Sequence, residues 1–252
     1  MPTTGGARIR SFVRTFERSL KTRGVGGSVR RCAAVVADRL ARARSEASAF
    51  VETDAAEGDD FDAQYGVDTR GEIAQADLDV AGPNWVHGSA YVPSSVIDFG
   101  QVLADLDLDL ERTSFVDLGS GKGRVLVMAA ALPFQQVVGV EFSASLAETA
   151  RDNLRRYSGP RACTNLSVVT ADVTGYALPN GPLVVFMYHP FDETIMARVE
   201  QRVSEAARDA SRRVVVVYFK PVHREVWDRS SRFSIVRETP LYVVYDNRRP
   251  AS

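Results

Sequence analysis

Five runs rich in valine and leucine constrain the fold of this 252-residue chain more than any other feature: Phe115–Leu118, Val137–Glu141, Leu166–Thr170, Leu183–Tyr188 and Val214–Phe219. The middle ones are near-continuously valine and leucine rather than alternating, which is the pattern of strands buried on both faces. The stretches between them read as helical, and strands alternating with helices predict a parallel sheet with helices on both sides. The ending differs. Phe233–Glu238 and Leu241–Tyr245 are too close for a parallel crossover, so this pair is predicted to be an antiparallel hairpin. The fold class is α/β, with seven strands.

Upstream of this pattern the charge reverses. Residues 1–50 carry eleven Lys/Arg against three acids, and residues 51–80 carry ten acids against one arginine. Three segments are expected: a basic helical extension over 1–50, an acidic linker or lid over 51–83, and the main domain over 84–252. In the first, Ile9, Phe12, Val13, Phe16 and Leu20 recur at helical spacing, and Val29, Cys32, Val36 and Leu40 resume it after glycines. Residues 8–44 fit three roles: a cap packed on the domain, a peripheral helix on a membrane surface, or a docking element for an acidic partner. An Arg-rich, acid-poor start also resembles an organelle transit peptide. Val51–Ile73 is too acidic and aperiodic for a core element. Pro93 and Ser94 open a helix with Val96, Ile97, Phe99, Val102, Leu103 and Leu106 as its apolar positions.

The first strand leads into FVDLGSGKGR, Phe115 to Arg124. A phosphate-binding GxxxxGK[ST] loop is excluded, because Gly121-Lys122 is followed by Gly123. A dinucleotide GxGxxG loop is excluded as well, because its third glycine would fall on Arg124. What remains is GxGxG with Asp117 two residues ahead of Gly119. An acid in that place would repel a phosphate and attract a cation. Glu141 closes the second strand, Phe142 follows it, and Ser145 to Glu148 reads as a capping box ahead of a helix that faces the sheet with Leu146, Ala150, Leu154 and Tyr157. Asp172 and Val173 follow the third strand.

This arrangement is similar to the first motifs of class I S-adenosylmethionine-dependent methyltransferases, from about Tyr91 to Tyr245. The resemblance implies a Rossmann-like seven-stranded sheet and S-adenosylmethionine as cofactor. It further implies that Gly119, Ser120, Gly121 and Gly123 let the backbone approach the methionine part, and that Asp117 faces its ammonium. Glu141 would accept from the ribose hydroxyls, Phe142 flank the adenine, and Asp172 accept from the adenine amino group beside Val173. Tyr91 would help cover the cofactor, in a loop that also holds Trp85, His87 and Gly88.

The fourth strand ends in Tyr188-His189-Pro190-Phe191. Related enzymes that modify amino nitrogens carry Asn or Asp, Pro and an aromatic here, so His189 departs from their pattern; a neutral imidazole can instead accept a proton. His189, Tyr188 and Phe191 are the candidate catalytic residues, with Tyr91, Trp85 and Tyr218 as further aromatic walls, although Tyr218 sits within a valine strand and reads better as core. The nearest flavour is that of Dot1-type and ATP-synthase c-subunit-type protein-lysine methyltransferases. The function expected is methyl transfer to an amino nitrogen of a protein lysine or a small amine; the alternative is a non-catalytic S-adenosylmethionine-binding or scaffold protein. Nucleic acid is a disfavoured acceptor, because the acidic segment adjoins the basic one. Two cysteines without CxxC or histidine spacing argue for no metal and a reducing, cytoplasmic setting. No apolar run is long enough to span a bilayer.

Overall fold

The computed structural model describes residues 60–74, 78–79, 90–94, 97–104, 106–189 and 191–248. The expected basic helices of residues 1–50, the residues 51–59, Trp85, His87, Gly88, Val96 and Pro190 lie outside them. The described elements are α1 (Phe61–Tyr65), α2 (Phe99–Val102), a 3₁₀ turn (Leu110–Arg112), β1 (Ser114–Leu118), α3 (Arg124–Ala129), β2 (Gln136–Glu141), α4 (Ala144–Arg156), β3 (Leu166–Thr170), β4 (Leu183–Tyr188), α5 (Glu193–Ala206), β5 (Val214–Phe219), α6 (Arg224–Asp228), β6 (Ser234–Glu238) and β7 (Tyr242–Asp246).

One seven-stranded sheet has the order β3-β2-β1-β4-β5-β7-β6. Its first five strands are parallel, and β7 pairs antiparallel with both β5 and β6. This is the expected Rossmann-like seven-stranded sheet with a C-terminal antiparallel pair. Alternation along each strand divides the core in two. Phe115, Val137, Val184, Phe186, Val215 and Val217 pack on one face with residues of α1 to α4. Val116, Val138, Val185, Met187, Val214 and Val216 pack on the other, with Ile195, Met196, Val199 and Val203 of α5.

Caps explain where the helices begin. Ser143 is the N-cap of α4, its Oγ accepting from the Leu146 amide at 3.2 Å. The expected capping box at Ser145 is therefore two residues late, and Glu148 instead pairs with Arg151 at 3.0 Å. Asp192 caps α5 by accepting from the Ile195 amide. The helix expected from Pro93 begins only at Phe99, where Asp98 accepts from the Gln101 amide at 3.0 Å and supplies the cap that Ser94 was expected to mark. Arg237 of β6 then donates to the carbonyls of Gln101, Val102 and Ala104, satisfying the open end of α2.

Two further expectations are corrected. The connection from β3 to β4 contains turns and no helix, because Gly175, Pro179, Gly181 and Pro182 break any helical run. The acidic segment is also not wholly outside the core. Phe61, Tyr65, Val67 and Thr69 are buried, since α1 needs only two aromatics at i and i+4 to bury one side of a single turn.

Candidate functional site

The glycine loop owes its form to backbone dihedrals that ordinary residues avoid. Gly119, Gly121 and Gly123 have φ of 86°, 52° and 80°, all in the left-handed region that glycine enters at no steric cost. The Gly119 and Ser120 amides donate to the Val140 carbonyl at 2.8 and 3.1 Å, which ties the loop to β2. A Cβ on Gly121 would lie 2.4 Å from the Tyr91 ring, so the ring rests directly on the loop backbone. Gly139 of β2, which the sequence reading did not single out, has the same role from beneath: its Cβ would meet Leu126 and Ser120 Oγ at 2.6 Å. A glycine inside a valine strand was the available signal.

Asp117 ends up in the sheet at 2 % exposure, just before the loop. Burial first, and then the negative charge of Glu141, push its carboxyl well above the usual carboxylate range. Glu141 is also buried and raised; its Oε2 accepts from the Gly121 amide at 2.8 Å and its Oε1 from the Ser143 amide at 2.9 Å. Each oxygen keeps a further lone pair for a hydroxyl donor. Among the described residues, no cation compensates either carboxylate. Phe142 is half-buried and Val173 buried at the ends of neighbouring strands. Asp172 receives the Thr174 amide and hydroxyl on Oδ1, at 2.8 and 2.7 Å, so that oxygen is engaged in its own turn. These residues fit a cationic, hydroxyl-bearing ligand: two buried acids with no counter-ion among the described residues, beside a glycine loop.

A strap built from residues 61–70 and Tyr91 covers this region. The Tyr91 hydroxyl donates to the Thr69 carbonyl at 2.6 Å, and Lys122 Nζ donates to the Arg70 carbonyl at 2.6 Å. Burial and nearby acids raise the Tyr91 phenol further, keeping it neutral. Fully buried Asn153 of α4 holds the strap from below. Its amide nitrogen donates to the carbonyls of Asp68 and Lys122, and its oxygen accepts from the Asp68 amide. Arg124 lies over the Phe61 ring at 4.4 Å, its burial lowering the guanidinium to about 10. Asp79, from the acidic segment, accepts from Ser143 and Ser145 at the start of α4.

The other half of the sheet edge is aromatic and basic. Tyr188 is half-buried and stacks on Phe219, with centroids 6.0 Å apart, and Phe219 stacks on Tyr242 at 4.7 Å. His189 follows with φ 43°. Its Nδ1 is buried without a hydrogen-bond partner among the described residues. Burial, then His223, then Lys220 lower its pKa, so the imidazole is neutral at physiological pH. Phe191 is not beside Tyr188: it is buried with Val173 and Ile195 on the α5 face, whereas Tyr188 packs on the opposite face. Tyr218 is wholly buried, as its valine-rich strand predicts. His223, 6.1 Å from His189 ring to ring, and Lys220 were not singled out from the sequence.

No described helix is long and apolar enough to cross a membrane. No curated protein matches the chain. Solved structures that resemble it include the 23S rRNA methyltransferase ErmE, at 16 % identity over 60 % of this chain and 66 % of that one, with a TM-score of 0.41. Another is the mitomycin 7-O-methyltransferase MmcR, at 18 % identity, 56 % and 50 % coverage and a TM-score of 0.41. A third is the magnesium protoporphyrin IX methyltransferase of Synechocystis PCC 6803, solved with bound S-adenosylmethionine, at 18 % identity, 58 % and 73 % coverage and a TM-score of 0.38. The chain thus spans between half and two thirds of the first two. Likenesses of this degree carry no argument about an acceptor. The sequence from β1 to the start of β5, residues 115–214, matches a family model described as a methyltransferase domain. Over that stretch the chain is thus similar to a methyltransferase domain, and its class I strand order, glycine loop and buried acids fit S-adenosylmethionine as cofactor.

Proposed function

We propose that the protein transfers a methyl group to an amino nitrogen, of a small amine or a protein lysine, at the carboxyl ends of β4 and β5. The observation carrying this reading is His189, whose buried Nδ1 has no hydrogen-bond partner among the described residues and whose pKa is lowered by burial and then by His223 and Lys220. Bound S-adenosylmethionine supplies a methyl group on a cationic sulfur. Asp117 would pair with the ammonium, Glu141 would accept from ribose hydroxyls, and Tyr91 would close the glycine loop. The acceptor must offer a lone pair, and deprotonating a free lysine at pH 7 costs about 4–5 kcal/mol. An aromatic wall at Tyr188 lowers that cost by disfavouring the ammonium form, and His189 takes the proton lost by the nitrogen as the N–C bond forms. Alignment supplies much of the rest. The Dot1-like flavour and a cytoplasmic setting belong to the same proposal.

The test compares the protein with its His189→Ala variant. Calorimetry with S-adenosylhomocysteine should give micromolar binding for both, while transfer from labelled donor into an amine panel should fall about 100-fold or more in the variant. Cofactor binding without transfer by the unaltered protein would instead support a non-catalytic S-adenosylmethionine-binding protein.

A further inference from the structure

The parallel register of β4 and β5 pairs Tyr188 with Phe219, so the residues just beyond, His189 and Lys220, occupy equivalent places at adjacent strand ends. Each has φ 43° and each precedes a proline, Pro190 or Pro221. A left-handed residue before proline is disfavoured twice, and backbone strain of this kind gathers where a side chain must be held for a ligand. The two corners therefore form a pair: aromatic, base, proline.

The bases converge. Lys220 Nζ stands 5.1 Å from the centroid of the Tyr188 ring, reaching across from β5 to the end of β4. The His223 ring lies 6.1 Å from that of His189. Glu225 is 3.8 Å from His223 Nδ1 with its side chain 41 % exposed, and among the described residues no carboxylate pairs with Lys220. The charge along the carboxyl edge is thus divided. Asp117, Glu141 and Asp172 end or follow β1 to β3, while His189, Lys220 and His223 follow β4 and β5. The division falls between β1 and β4, where the strand order reverses and open sheets take their ligands.

We infer that the basic half is an anion subsite, in which Lys220 and His223 hold a carboxylate or phosphate carried by the acceptor itself, beside Tyr188 and His189. This rests on the methyl-transfer reading and narrows it to a small, anion-bearing nucleophile; a lysine in a basic peptide would meet Lys220 with like charge. The lowered pKa of His189 agrees: burial first, and then His223 and Lys220, disfavour its charged form, while the same two bases attract the anion.

The chain has three histidines, His87, His189 and His223, so imidazole resonances can be assigned by single His→Gln substitutions. Calorimetry with S-adenosylhomocysteine comes first, because absence of binding defeats the methyltransferase reading on its own and leaves the anion titration to be read on the same protein. Inorganic phosphate, acetate and tetramethylammonium are then titrated separately into the full chain. The expected result is a saturable shift of the His189 and His223 signals by an anion, with affinity reduced about tenfold in Lys220→Gln. Lys220 is exposed, and an unchanged melting curve for the variant shows that its fold is intact. Saturation by phosphate alone assigns a phosphate-bearing acceptor, and saturation by acetate a carboxylate. Anions that leave both signals unmoved, an affinity unchanged in Lys220→Gln, or tighter binding of tetramethylammonium would each overturn the inference.

Discussion

Asp117 costs the ligand-free protein stability because its folded carboxyl titrates well above the unfolded one, owing to burial and to Glu141. A raised carboxyl contributes stability that is complete below the unfolded value, near 3.9, and is lost as pH rises through the folded value. Asp117→Asn is therefore expected to melt higher than the parent at neutral pH without ligand, with the gap closing in acid. The same change should weaken S-adenosylhomocysteine binding about 30-fold or more by calorimetry, the effect of removing a buried partner charge. An unaltered affinity would mean that the ammonium is held elsewhere. The place of Asp117, buried just ahead of the glycine loop, was legible because only the residue pattern GxGxG was needed to find it. His223 and Lys220 were not, since their relation to His189 exists only once β4 and β5 are set in register.

At the level of elements, α4 joins the strap to the glycine loop through one residue. Asn153, itself fully buried, hydrogen-bonds backbone groups of both Asp68 and Lys122. Asn153→Ala should cost about 1–3 kcal/mol in urea unfolding, the penalty for orphaned buried polar groups, and should weaken S-adenosylhomocysteine binding while leaving the His189 imidazole resonance in place. If the affinity is unaffected, the strap does not position the loop. The strands were legible to within a residue because their apolar runs are short and bounded by turns; β1, β2, β4 and β5 are buried along nearly all their length, whereas β3 and β6, at the sheet edges, are only part-buried. The strap was not, because Phe61 and Tyr65 are two aromatics among acids, too few for a periodic signal. The start of α2 was misplaced because proline marks where a helix is allowed to begin, while the hydrogen bond from the Gln101 amide to Asp98 decides where it does.

The whole sheet is held to its covering layer by an aromatic cluster. The Phe186 ring lies 5.4 Å from Phe99, 6.0 Å from Phe115 and 5.5 Å from Phe219, joining β1, β4, β5 and α2. Phe186→Ala should lose about 3–5 kcal/mol, read as a lower urea midpoint with an unchanged slope; against a typical total of about 5–15 kcal/mol, that leaves a marginal protein. The sheet order carries a further consequence for synthesis. β7 lies between β5 and β6, and β6 touches the sheet only through β7. A nascent chain that has already released β6 from the ribosome thus has nowhere to seat it, and one side of β5 waits unzipped. That edge stays open to non-native pairing until β7 is translated and slots between its two neighbours.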